Sequence, residues 1–199
     1  MDLVPTLISS GWASGVNAWA TVLVLGLLGR AGVGTEAVPT ELTETPVLAF
    51  AGVMYAIEFV ADKVPLFDSV WDLGQTVFRP LVGAWVGYEF AGADGVSSVD
   101  QALAGGGTGA LALASHGVKA SLRLGINASP EPFTNIVASV GEDFAVAVVT
   151  ALALQQPELA AAIALILLAC GIALVIFVWT RIRRAWTLLR QRYGSRSPP

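Results

Sequence analysis

Residues 159–179 read LAAAIALILLACGIALVIFVW and contain no charged side chain. A helix of about 20 apolar residues, which rises about 1.5 Å per residue, crosses the hydrocarbon core of a bilayer, which is about 30 Å thick. The rest of the chain is similar, since 55% of all residues are hydrophobic and 13% are charged, against about 25% charged in a soluble domain. The sequence therefore predicts an all-α integral membrane protein and excludes a soluble domain.

Five further apolar segments precede this one, so we predict about six transmembrane helices. The predicted spans run from about Leu3 to Gly29, Pro46 to Pro65, Asp68 to Phe90, Gln101 to Leu124, Pro132 to Gln155 and Pro157 to Trp179. Three of them begin at proline, which is well tolerated in the first turn of a helix. The predicted organisation is a transmembrane domain over residues 1–180 and a basic cytoplasmic tail over residues 181–199.

Basic residues near the span ends set the expected orientation. The last span is followed by a cluster of arginines with no acidic neighbour: Arg181, Arg183, Arg184, Arg190, Arg192 and Arg196. Cytoplasmic loops carry the excess of Lys and Arg, so the C-terminus is expected inside, and an even number of spans places the N-terminus there too. We expect a multi-pass protein of the bacterial inner membrane. The arginines are interpreted as a topology signal; an anionic-lipid patch is the alternative, and nucleic acid is not an expected partner.

The two halves of the chain resemble each other. SGVNAW at residues 14–19 resembles HGVKAS at 116–121, and YAIEFVAD at 55–62 resembles SVGEDFAV at 139–146, in the same order. The predicted repeats cover about residues 10–90 and 112–180, with three spans each. Because three is an odd number, the second copy lies upside down relative to the first, which is the inverted-repeat architecture of many transporters.

Polar and ionisable residues inside the predicted spans are the candidate functional residues, because each charge there costs at least about 2.5 kcal/mol on insertion scales. The candidates for a substrate or ion pathway are Asn17, Glu58, Asp62, Arg79, His116, Lys119, Arg123, Asn135, Glu142 and Asp143. One interpretation is a hydrated path or binding cavity along the repeat axis. The other is a set of buried ion pairs that only fixes helix register. His116, taken singly, is more typical of a hydrogen-bonded packing residue than of a proton relay.

Asn17 also predicts a break in the first span, because SGVNAW places Gly and Asn within a long apolar run. Broken helices leave backbone groups free to bind an ion or solute where they line a cavity.

Several site classes are excluded or disfavoured by composition. One cysteine and one histidine cannot supply the four ligands of a structural zinc site. The glycine run GGGTG at residues 105–109 lacks the Lys-Ser/Thr of a phosphate loop and instead predicts a close helix contact. We expect no cofactor, no metal and no catalytic residues, and therefore a protein that is not an enzyme.

Three long segments together resemble one bacterial family, domain of unknown function 4126 (DUF4126). They are SGVNAWATVLVLGLLGR, EFVADKVPLFDSVWDLGQTVFRPLVGA and GVKASLRLGINASPEPFTNIVASVGED. The resemblance implies a polytopic membrane protein and does not imply an activity. From the residues, the leading hypothesis is a channel or secondary transporter for an ion or small polar solute, in contact with the lipid bilayer and with homo-oligomerisation left open. The alternative is a non-catalytic membrane scaffold or lipid-binding protein.

The predicted orientation is tested by a reporter fused after Pro199 that is active only outside the cytoplasm. We expect no reporter activity in intact cells, because the arginines after Trp179 outweigh the basic residues of every other loop. A fusion of the same reporter within the loop at residues 89–100 is the matched control and should be active. A strong signal from the C-terminal fusion would contradict the span count or the orientation.

Overall fold

The computed structural model describes residues 2–34, 38–64, 67–127 and 132–194, with side chains except at 132, 185 and 188–194. Over these ranges the chain consists of helices joined by short turns and contains no strand. The helices are α1 (Leu3–Arg30), α2 (Thr40–Thr43), α3 (Thr45–Ala61), α4 (Phe67–Ala93), α5 (Ser98–Asn127), α6 (Pro132–Ala153) and α7 (Pro157–Gly194).

Six long helices lie where the sequence predicts spans, and α2 is a short additional helix between α1 and α3. The main difference is at the C-terminus, where α7 does not end at Trp179 but continues to Gly194. The first part of the predicted basic tail is thus an extension of the last helix. The predictions for Arg196, and for the side chains of Arg190 and Arg192, fall outside the described residues.

The distribution of polarity is the reverse of that in a soluble protein. Large apolar side chains face outward, with Leu73 75% and Phe144 71% exposed, whereas Glu58 and Arg79 are fully buried. Three helices are long and apolar enough to cross a membrane: α1, the Phe133–Ala153 part of α6 and the Pro157–Arg184 part of α7. Because water would not favour such an exterior, these features indicate a helical membrane protein.

Helix α1 is the centre of the bundle, since it packs against α3, α4, α5, α6 and α7. One apolar cluster fills the space between α1, α6 and α7, with Trp12 and Val146 among its members. A second cluster lies toward the α2 end of the bundle, where Leu25 of α1, Leu42 of α2 and Phe90 of α4 are fully buried. The two clusters leave a region beside the middle of α1, and that region holds the polar side chains.

Glycine brings α4 and α5 into close contact. A Cβ atom added to Gly109 would lie 2.8 Å from the carbonyl oxygen of Pro80 and 2.9 Å from the Cβ atom of Ala84. Gly105 approaches the carbonyl oxygen of Ala84 in the same way. The prediction of a close helix contact at GGGTG is therefore confirmed, and such contact is typical of helices that pack within lipid.

We expect Gly109→Ala to destabilise the protein, by about 1–3 kcal/mol, because the new methyl group overlaps backbone atoms of α4. Gly106→Ala is the matched control, since a Cβ atom at Gly106 meets no atom within 4 Å. There the substitution should be neutral or slightly stabilising, as alanine is the better helix former. Thermal unfolding of both variants in detergent measures the difference, and equal melting temperatures would contradict the close contact.

Candidate functional site

The site begins at a break in α1. Asn17 has non-helical backbone angles, φ −151° and ψ 99°, which confirms the predicted discontinuity. Its side-chain oxygen accepts a hydrogen bond from the backbone N–H of Ala20 at 2.9 Å, the geometry of an N-cap for the second half of the helix. Asn17 therefore ends one helical segment and starts the next.

The break frees backbone carbonyls at the end of the first segment, and side chains of other helices bind them. Arg79 donates to the carbonyl oxygen of Gly15 at 3.2 Å, and Lys119 donates to that of Val16 at 3.1 Å. Two cations thus face the end of a helix where the backbone dipole carries partial negative charge. The hydroxyl of Ser115 binds a third carbonyl, that of Trp12, at 2.9 Å.

Arg79 of α4 is the first of three buried cations. Its Nη2 atom lies 2.7 Å from Oε1 of Glu58 and 3.0 Å from Oδ1 of Asp72. Its Nη1 atom lies 2.7 Å from Nδ1 of His116. Because arginine can only donate, Nδ1 is the acceptor and the ring proton is on Nε2, which donates to the hydroxyl of Thr76 at 3.0 Å. His116 thus orients the guanidinium group.

Lys119 of α5 is the second cation, and it lies between acids of two helices. Its Nζ atom is 2.8 Å from Oδ2 of Asp62, 3.5 Å from Oε2 of Glu142 and 3.8 Å from Oε1 of Glu58. Asp62 directly follows α3, which contains Glu58, and Glu142 lies on α6. The ammonium group of Lys119 therefore lies near both Glu58 and Glu142, the two acids that occupy equivalent positions in the predicted repeats.

Arg123, one helical turn beyond Lys119, is the third cation. Its Nη2 atom lies 2.6 Å from Oε2 of Glu142 and 3.6 Å from Oδ2 of Asp62. Its Nη1 atom donates to Oδ1 of Asn135 at 2.5 Å, and Asn135 in turn donates to the carbonyl oxygen of Asp62 at 3.0 Å. Asn135 holds the end of α3 against α6.

Asp143 is attached to the network by a neutral partner. Its Oδ1 atom accepts a hydrogen bond from Nδ2 of Asn17 at 3.0 Å. Within the described ranges no cationic nitrogen lies within 4.0 Å of its carboxylate. Asp143 lies beside the start of the second segment of α1, where the helix dipole favours negative charge.

Two cavities adjoin the network from different sides. One, of about 250 Å³, lies between α1, α5, α6 and α7 and is lined by Trp12, Lys119 and Glu142 among others. The other, of about 230 Å³, lies between α4 and α5 and is lined by Asp72 and Thr76. The Glu142 side chain is 23% exposed, whereas the Glu58 side chain is fully buried. Of the two network members that line the first cavity, Lys119 and Glu142, Glu142 is the more exposed.

A family model described as domain of unknown function (DUF4126) matches residues 4–177. The chain belongs to the DUF4126 family. This confirms the family that the three sequence segments resemble. No curated protein and no solved structure matches this DUF4126 chain.

In this DUF4126 protein, the fold brings all ten candidate residues into one continuous cluster. Sequence reasoning missed the buried acids Asp68 and Asp72 and the half-buried Asn127, which also belong to the cluster, and the buried Gln75, which lies on the same face of α4 as the two acids. Asp68, Asp72, Gln75 and Arg79 follow one another at intervals of three or four residues, so they share one face of α4. That spacing could have identified the residues of α4 from the sequence. They were missed because Asp68 was treated only as the start of a predicted span.

We expect Asn17→Ala to destabilise the DUF4126 protein by about 0.5–2 kcal/mol, the usual cost of losing an N-cap. The variant also removes the hydrogen bond to Asp143. Ser14→Ala is the matched control, because Ser14 is buried on the same segment and its hydroxyl has no hydrogen-bond partner in the described part of the chain. Chemical or thermal unfolding in detergent compares them. Equal losses for both variants would contradict the capping role of Asn17.

Proposed function

We propose that this DUF4126 protein is a membrane channel or secondary transporter for an ion or small polar solute. The observation that carries the proposal is the buried charged network beside a broken helix, in a bundle with an apolar exterior. A broken helix that offers backbone carbonyls next to ionisable side chains is the arrangement in which many transporters bind their substrates.

The charges of the network support a path for positive charge. Among the described residues, the network contains three cations, Arg79, Lys119 and Arg123, and the half-exposed Lys63 lies at its edge. It contains six carboxylates: Glu58, Asp62, Asp68, Asp72, Glu142 and Asp143. Ion pairs that served only to fix helix register would need equal numbers, since an uncompensated buried charge is costly. The surplus of carboxylates supports protons or cations as part of the working protein.

The position of the network supports a gated path more than an open pore. Most of its members lie on the halves of α4, α5 and α6 nearest the α3–α4 and α5–α6 connections. At the α2 end of the bundle, Leu25, Leu42, Val86 and Phe90 form a buried apolar cluster. Such a bundle is closed at one end. In the predicted orientation, the network faces the cytoplasmic half and the apolar closure faces outward.

Six spans in two inverted halves are part of the same proposal. The segments that resemble each other in sequence meet in space, since Gly15 packs against Ser115, and Glu58 and Glu142 both face the ammonium group of Lys119. The first part of α1 runs parallel to α5, from Gly11 beside Thr108 to Gly15 beside Ala112, so this pair of segments supports the contact and not the inversion. Sites at the interface between inverted repeats are common in transporters. The halves differ at one point, because α1 is broken at Asn17 whereas the helical geometry of α5 continues through Lys119.

A membrane scaffold is the second candidate, and the pairing of the cations favours it. Each of Arg79, Lys119 and Arg123 lies within 4.0 Å of two or more carboxylates, which would suit a purely structural network. In that case the contacts of the protein are with lipid or with other copies of itself.

The two candidates are separated by Glu58→Gln and Glu142→Gln, each measured for thermal unfolding in detergent and for ion or solute flux in proteoliposomes. For a transporter we expect flux to change strongly while folding is largely retained, since the amide keeps the shape of the side chain. Glu158→Gln is the matched control, because Glu158 is exposed at the start of α7, and it should behave like the wild type.

The scaffold predicts a different pattern. Removing one partner of a structural buried pair leaves the other charge without compensation, at a cost of about 3–5 kcal/mol. A large loss of melting temperature in both variants, together with no specific flux through the wild type, would contradict the transporter and favour the scaffold.

A further inference from the structure

Lys119 differs chemically from the other two buried cations. Arginine stays protonated in proteins, so Arg79 and Arg123 can donate hydrogen bonds but cannot give up a proton. A buried lysine can lose its proton and regain it, which is why lysine serves as an acid or base in other proteins. Lys119 is the only fully buried lysine in the described part of the chain.

The ammonium group of Lys119 lies between a partly exposed acid, Glu142, and a fully buried acid, Glu58. Glu142, 3.5 Å away, borders the cavity between α1, α5, α6 and α7, and Glu58, 3.8 Å away, is fully buried. Asp62, at 2.8 Å, holds the ammonium group between them. Both Glu142 and Lys119 line the cavity, and Glu142 is the more exposed of the two, so a proton that reaches the cavity can bind Glu142 next to Lys119.

The interior of the network also contains carboxylate oxygens that are free to accept a proton. The Oε2 atom of Glu58 is buried and receives no hydrogen bond from any described residue, because both Arg79 and Lys119 approach Oε1. The Oδ1 atom of Asp62 is buried and unpartnered in the same sense. Buried oxygens normally have a hydrogen on or near them. Free acceptor atoms, together with the surplus of carboxylates, indicate that the network takes up protons.

We propose that Lys119 relays protons between Glu142 and Glu58, so that the proton is the transported or coupling ion. In one step the ammonium group of Lys119 gives a proton to the Glu58 carboxylate, which leaves a neutral amine and a carboxylic acid. In the next step protonated Glu142 gives its proton to the amine, which restores the ammonium group and a carboxylate. The cycle closes when Glu58 passes its proton on, and the acceptor that the structure offers is Asp72, which shares the Nη2 atom of Arg79 with Glu58 and lines the cavity between α4 and α5. The relay rests on the transport function proposed above and names its ion.

The charged groups around the relay are consistent with it. Glu58 faces Arg79 and Asp72 from α4 and Lys119 from α5. Glu142 faces Lys119 and Arg123 from α5, and through Arg123 it is connected to Asp62 after α3. The neighbours that α1 and α7 present at the cavity are apolar: Trp12, Val16, Leu167, Leu168 and Gly171. Protonation of either acid thus changes its attraction to α5, which links proton movement to helix contacts.

Lys119→Arg tests the relay, with the exchange of an exposed basic residue, Arg183→Lys, as the control. Proteoliposomes that contain a pH-sensitive dye are given a pH gradient, with the membrane potential clamped by potassium and valinomycin. Lys119→Arg keeps the positive charge but cannot release a proton, so we expect the proton flux to fall about 100-fold, the range of a lost general acid and base. Arg183→Lys, at an exposed position on the extension of α7 outside the network, should keep a flux close to that of the wild type.

Three outcomes would overturn the relay. The first is a proton flux in folded Lys119→Arg equal to that of the wild type. The second is a specific solute or ion flux in the wild type that neither carries nor depends on protons, which leaves the proposed transport function in place. The third is that no solute, ion or proton is carried, in which case both proposals fail.

Infrared spectroscopy of the wild type keeps the relay testable if Lys119→Arg does not fold. We expect a carbonyl band of a protonated carboxylic acid that responds to pH, shifts in heavy water and is lost or altered in Glu58→Gln. Glu158→Gln is again the control and should leave the band unchanged. The absence of any such band over the pH range in which the protein remains folded would overturn the uptake of protons by the network.

Discussion

Everything in this bundle depends on the pairing of three cations that are buried away from water. A charge in a membrane interior is tolerated only when other groups of the protein replace its hydration. Here Arg79, Lys119 and Arg123 receive that replacement from carboxylates on or next to α3, α4 and α6, and from backbone carbonyls of α1. No pair of helices is sufficient by itself, so the network requires the whole bundle to assemble.

The break in α1 is a consequence of the same constraint. A continuous helix would use its own carbonyl oxygens, and the buried cations would have fewer acceptors. Because Asn17 starts a new helical segment, the carbonyls of Gly15 and Val16 are available to Arg79 and Lys119. On the other side of the break, the N-terminus of the second segment lies beside Asp143, which accepts a hydrogen bond from Asn17. Each end of the interruption thus lies beside the charge that its helix dipole favours. A discontinuity that would be costly in isolation is therefore stabilised from both directions.

A network that is only structural would have balanced charges and no accessible member. This one has a surplus of carboxylates, and Glu142 is partly open to a cavity. Its two arginines are fixed charges, whereas its lysine can change its charge. The arrangement therefore combines permanent ion pairs, which hold the helices together, with the lysine at which we propose that a proton moves. That combination favours transport over a scaffold.

Much of the fold follows from the sequence alone. The charge-free run at residues 159–179 indicates a bilayer, and the apolar segments locate all six long helices to within a few residues, apart from the end of α7, which continues past Trp179 to Gly194. The family assignment also came from linear segments. These features are local, because the hydropathy of about 20 consecutive residues decides whether a helix is stable in lipid. The same locality made Asn17 recognisable as a break.

The site was predicted as a list of residues and became a site only through tertiary structure. The sequence identifies Glu58, Arg79, Lys119 and Glu142 as charges that need partners, since lipid cannot solvate them. It does not determine which acid pairs with which base, because the partners lie on different helices and their distances depend on how closely α4 and α5 pack through Gly109. Asp68 and Asp72 were missed because a charge at a predicted helix end is ordinary there, and only the packed bundle shows that both are buried. The composition of a span is a property of the chain, whereas the partner of a buried charge is a property of the assembled helices.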